Sequence, residues 1–288
     1  MKRSLLARLR TNGTLYLISA LLLVLGVPFY QAFVLEPAGF SSTLNATGIS
    51  TPQSVASAYL VWIHGHNGLF LGYRTLLILA FALILTLPFS LYRIIVAQEI
   101  LGQQEDAADD ATEEGAEAST QDDKEPVFVT TTDSGMPAFA WRGKGFVVLA
   151  AWLGTTGLLL YVLGTLASTF YLTIASAQVT SVIEVSESVI ALSGILTIIT
   201  NTVGIGSLGL GILFCGAMIS RTGTNLWPGS WVILGYTALL VGALLCISAI
   251  AVATATSGSQ GLLNTVGTFL FALWTFWLGL MLTRLQPE

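Results

Sequence analysis

The feature that most constrains this chain is a series of apolar runs, each about 20 residues or longer and so able to cross ~30 Å of hydrocarbon as a helix. Six are present, over residues 15–34, 69–92, 146–171, 190–219, 231–253 and 262–282. In lipid every backbone polar group must find its partner within the protein. Continuous apolar runs meet that demand as helices, whereas barrel strands would alternate with period two. Composition agrees where it decides something. Only 9% of residues are charged, against about 25% in an ordinary soluble domain. The expected fold is therefore an all-α integral membrane protein, a bundle of six transmembrane helices.

Charge placement sets the expected orientation. With the N-terminus inside, Lys2, Arg3, Arg8, Arg10, Arg93, Lys124, Arg142, Lys144, Arg221 and Arg284 all fall on the cytoplasmic side, ten of the chain's 11 basic residues. The outer connections carry no Lys or Arg, which is the positive-inside pattern. Both termini are expected in the cytoplasm of a cell whose plasma membrane holds the protein. The N-terminal "MKRSLLARLR" with its following apolar run lacks a small-residue cleavage site and reads as a retained signal anchor.

Three regions follow: a first helix pair over residues 1–98, an acidic cytoplasmic loop over 99–143, and a four-helix portion over 144–288. Twelve of the 16 acidic residues lie between Glu99 and Asp133, so the net charge of −5 belongs mainly to this segment. Its low apolar content predicts disorder. A solvated linker suited to a salt-rich, halophile-like cytoplasm is the plain reading, and a docking site for a basic partner is the alternative. Between the third and fourth runs, "ASAQVTSVIEVSES" breaks the apolar pattern and predicts a short outer connection.

Polar residues at the outer end are the site candidates. His64, His66 and Asn67 precede the second run, and the helix is expected to start near Asn67, with Trp62 as an interfacial aromatic. Arg74 lies inside the run. It either snorkels outward or faces the bundle, where Glu36, Glu184 and Glu187 are the acids on its side. Asn201 and Thr202 are expected either to bond across helices or to mark a locally unwound stretch. His64 and His66 would converge on a metal or haem only if "HGHNG" formed a turn, so no cofactor is expected and a redox or metal role stays the alternative.

Other patterns exclude more than they suggest. Gly204, Gly206 and Gly209 form a GxGxxG with no strand before it, which rules against a dinucleotide fold. Gly204 and Gly211 instead suit close helix approach, as does the Gly68/Gly72 pair. Pro88 should kink the second helix. Cys215 and Cys246 have no metal or redox spacing and read as small buried residues. No catalytic constellation is visible, and nucleic-acid binding has no basic patch behind it.

Three stretches, "LPFSLYR" (87–93), "LFCGAMISRTGTNLWPGSWVILGYTALLVGALL" (213–245) and "FALWTFWLGLMLTR" (271–284), give the chain a likeness to the membrane family called domain of unknown function 4386. The resemblance implies six membrane helices and no particular activity. The expected function is that of a non-enzymatic interaction subunit or small-solute handler with a polar pocket near the outer leaflet. The bilayer is its implied partner, and a protein partner or a second copy of the chain stays open.

Overall fold

In a computed structural model, residues 3–44, 52–98, 140–178, 186–254 and 259–285 are described. Among them there is no strand, and six helices are long and apolar enough to cross a membrane: Leu6–Leu35, Asn67–Gln98, Gly145–Gln178, Glu187–Arg221, Gly229–Ala253 and Leu263–Thr283. These are the first to sixth spans below. The predicted acidic loop and Glu184 lie outside the described residues.

Each span overruns its apolar run. The first takes in Arg8, Arg10 and Asn12, and the third continues through Ser176 to Gln178. Helical hydrogen bonding continues past the hydrocarbon boundary, where polar side chains meet water and no longer oppose it. The second span has the expected break. Its helix turns irregular at residues 84–86, where Pro88, lacking an N–H, cannot bond the carbonyl of Ile84. Leu87 N bonds Ile84 O there instead, at 2.9 Å.

The spans form a ring in chain order, each packed on its neighbours, and the sixth returns to the first. An even number of crossings brings the chain back to its starting end. There Arg10 Nε donates to Leu285 O at 2.9 Å. Arg8, Arg93, Arg221 and Arg284 are exposed at the same end, called the basic end here. The interior is filled by side chains from several spans, including Phe81, Leu158, Ile205, Leu234 and Phe271, all almost wholly buried. Phe81 links the second span to the third and sixth, with ring centroids 4.1 Å from Tyr161 and 6.2 Å from Phe271. Outward-facing Phe29, Phe33, Trp152, Phe170 and Leu240 stay exposed, as suits side chains whose solvent is lipid.

Glycines set how closely the middle spans approach. A Cβ on Gly157 would fall 2.5 Å from Leu208 N and 2.6 Å from Gly204 O, so the third and fourth spans meet backbone to backbone. A Cβ on Gly211 would meet Gly154 N at 2.7 Å. Since lipid offers no hydrophobic drive for helices to associate, van der Waals contact through such small residues carries the interface. The GxGxxG stretch is thus a packing face. Gly68 behaves differently: nothing lies within 4 Å of its added Cβ, whereas that of Gly72 would collide with Tyr30.

Three π-helical stretches widen the spans: Leu22–Gly26 and Gln31–Leu35 flanking Pro28, and Ile198–Gly204 in the fourth span. The first two accommodate the proline ring inside a continuing helix. The third contains Asn201 and Thr202, which sit in a continuous, widened helical stretch.

Candidate functional site: a cavity beside Arg74

At the end opposite the basic one, two further helices pack over the first four spans. Phe40–Leu44 follows a turn at Gly39, whose φ of 77° suits a residue without Cβ. The Gly39 carbonyl accepts from Thr43 N at 2.9 Å and from Thr43 Oγ1 at 2.7 Å. Helix Pro52–Gly65 then leads to the corner at His66. Leu60, Trp62 and Ile63 from this helix bury against Leu35, Phe70, Leu172 and Ala175 of the first three spans. Trp62 is therefore a core residue, 4% exposed, and corrects the expected interfacial aromatic. Its Nε1 donates to Ala38 O at 2.9 Å, which binds the cap to the end of the first span.

The histidines separate at this corner. His64 is exposed near the end of the cap helix. His66 ends the turn with φ −132° and ψ 35°, stacks on Trp62 with centroids 5.1 Å apart, and places Nδ1 3.2 Å from Trp62 O. Its ring is thus engaged in holding the corner. Among the described residues no three of His, Cys, Asp and Glu gather where they could hold a metal ion. Cys215 and Cys246 are free thiols in neighbouring spans, the first buried and the second half-buried.

Beneath the cap lies a cavity of about 200 Å³. Tyr59 and Leu60 of the cap helix form one wall, Ser168 and Leu172 of the third span another, and Ser193 and Thr197 of the fourth a third, with Arg74 of the second span among the lining residues. Polar positions four residues apart on the fourth span share one helix face, and both of its hydroxyls are already used. Ser193 Oγ donates to Ile190 O at 2.8 Å and Thr197 Oγ1 to Ser193 O at 2.8 Å.

Arg74 is half-buried, seven residues or ~10 Å into its span. Its Cζ sits 5.3 Å from the Phe70 ring centroid, one turn toward the cap. Among the described residues it makes no hydrogen bond and no ion pair, and its Nε is buried without a partner. Tyr73 and Tyr161 lie within electrostatic range, and the Tyr73 hydroxyl already accepts from Gln31 Nε2 at 2.8 Å. A partly desolvated cation–π contact is worth roughly 0.5–2 kcal/mol, while a cation at the centre of a membrane helix costs about 2.5–3.5 kcal/mol and less toward its end.

The remaining candidates divide around this cavity. Glu36 is exposed and accepts from Ser41 Oγ, and Glu187 is exposed at the start of the fourth span. Neither pairs with Arg74. Asn67, two turns before Arg74 on the same side of its helix, has a buried Oδ1 without a partner. Asn201 is half-buried in the widened turn of the fourth span. Tyr59, Ser168, Ser193 and Thr197 were not among the sequence candidates. The Phe70–Arg74 and Ser193–Thr197 spacings of four were legible, but which span each pair would face was not. No protein-family model matches this chain, and neither a curated protein nor a solved structure matches it.

Proposed function

We propose that this chain is a non-enzymatic protein of the cell membrane that handles a small solute in the cavity beside Arg74. Both termini lie in the cytoplasm in this reading, because ten of its 11 basic residues fall at or beyond the basic end of the spans, which leaves the cap and cavity facing outward. The observation that carries the reading is an arginine without a hydrogen bond or ion pair among the described residues, lining about 200 Å³ of unfilled space. A tightly packed structural core would fill such space or pair such a donor. Kinship with the family called domain of unknown function 4386 belongs to the same reading, supported by the three quoted stretches.

Access from the outer water is the testable core of the reading. With Cys215 and Cys246 replaced by alanine, Ser193→Cys should react with a small hydrophilic thiol reagent added to intact cells. Reaction only after permeabilisation would reverse the orientation. No reaction in either state, with the protein folded, would remove the pocket as a solute site.

A further inference from the structure

We infer that the cavity selects a compact carboxylate, a single negative charge on a short apolar body. The inference rests on the pocket reading above and adds the ligand's chemistry to it. Charge comes first. Among the described residues, Arg74 is the one cationic side chain at the cap end of the spans, so the site offers one positive charge. A monoanion matches it, whereas a phosphate dianion would bring uncompensated charge into a weakly solvated place.

Donor geometry comes next. The Ser193 and Thr197 hydroxyls donate to carbonyls of their own helix, whereas Arg74 lines the cavity and makes no hydrogen bond among the described residues. A guanidinium presents its N–H groups as a planar fork that fits both oxygens of a carboxylate. The ion therefore meets the terminal nitrogens of the guanidinium, since Nε itself is sealed off from the cavity, and Phe70 steadies the group against its ring.

Size and lining set the rest of the molecule. An apolar cavity of about 150 Å³ takes benzene, so about 200 Å³ admits a ring or short branched chain bearing one carboxylate. Leu60, Leu172, Val189 and Ile190 give that body apolar walls.

Benzoate and benzamide share a shape and differ in charge, which makes them suitable probes for the full chain in detergent. Benzoate is expected to raise the melting temperature and to bind measurably by calorimetry, with benzamide and inorganic phosphate producing no shift. Arg74→Gln should weaken benzoate on the order of tenfold to a hundredfold, the range for a hydrogen bond to a charged group. Ser193→Leu, which fills the cavity and leaves the charge in place, should also abolish the shift. Equal shifts with benzamide would overturn the carboxylate while leaving the pocket reading intact, and a phosphate shift equal to that of benzoate would do the same. No shift with either ring compound, in a protein that melts cooperatively, would remove both. Benzoate binding that emerges only in Glu184→Gln would show that Arg74 is held by this chain's own acid, and the inference would fall.

Discussion

Arg74 distinguishes two energetic situations that a sequence treats alike. Removing one member of a buried ion pair costs roughly 3–5 kcal/mol, because the remaining charge is left uncompensated. Removing a lone cation forfeits only its ring contact, about 0.5–2 kcal/mol, and at the same time relieves desolvation of the guanidinium. With Glu36 and Glu187 both exposed and neither paired to it, Arg74→Met is expected to melt within a few degrees of the parent. Differential scanning fluorimetry in detergent would show this. A large loss would mean that the guanidinium is paired, and Glu184→Gln in the same background should then recover much of it. Trp62 makes the opposite case: fully packed and bonded to Ala38 O, it should cost about 3–5 kcal/mol as Trp62→Ala. That change would loosen the cap over the cavity.

At the scale of elements, the third and fourth spans depend on the absence of side chains. Gly211→Val would drive methyl groups into Gly154 N and Ala150 O, atoms 2.7 and 2.8 Å from even a Cβ. Backbone cannot move aside as a flexible side chain can, so the helices must separate. A loss of about 1–3 kcal/mol or more is expected, read as a lower melting temperature and poorer accumulation in membranes. Gly194, in the same span, has nothing within 4 Å of its added Cβ. Gly194→Ala should be neutral or stabilise by up to ~1 kcal/mol through helix propensity. If both changes behaved alike, the close approach of the two spans would not be what holds them together.

At the scale of the whole molecule, orientation and the acidic segment are linked. A cysteine at Ala116, in a chain whose two native cysteines are alanine, should be labelled only in permeabilised cells. Labelling in intact cells would place the acidic segment and both termini outside. Deleting residues 103–124 should leave the melting temperature of the bundle nearly unchanged, because a segment with so little apolar surface contributes little to a packed core. If the deleted protein failed to accumulate in the membrane, the segment would be a docking or assembly element.

The number of spans, their rough positions and the end at which the basic residues collect were legible because each depends on local quantities. Run length against bilayer thickness identifies a crossing, and charge beside a run identifies its end. The start of the second span near Asn67 and the break before Pro88 were legible for the same reason, since a corner or a missing N–H acts within one turn of helix. Helix Pro52–Gly65 was not, because its 14 residues are too few to cross a membrane and its apolar side has meaning only beneath Leu35, Phe70 and Leu172. The cavity was legible least of all. Tyr59, Arg74, Ser168 and Ser193 come from four separate segments of the chain, and only the packing of helix Pro52–Gly65 on the second, third and fourth spans brings them together. Sequence determined that Arg74 would be an uneasy charge inside a helix. Tertiary packing alone decided that it would line an unfilled space, with neither Glu36 nor Glu187 paired to it.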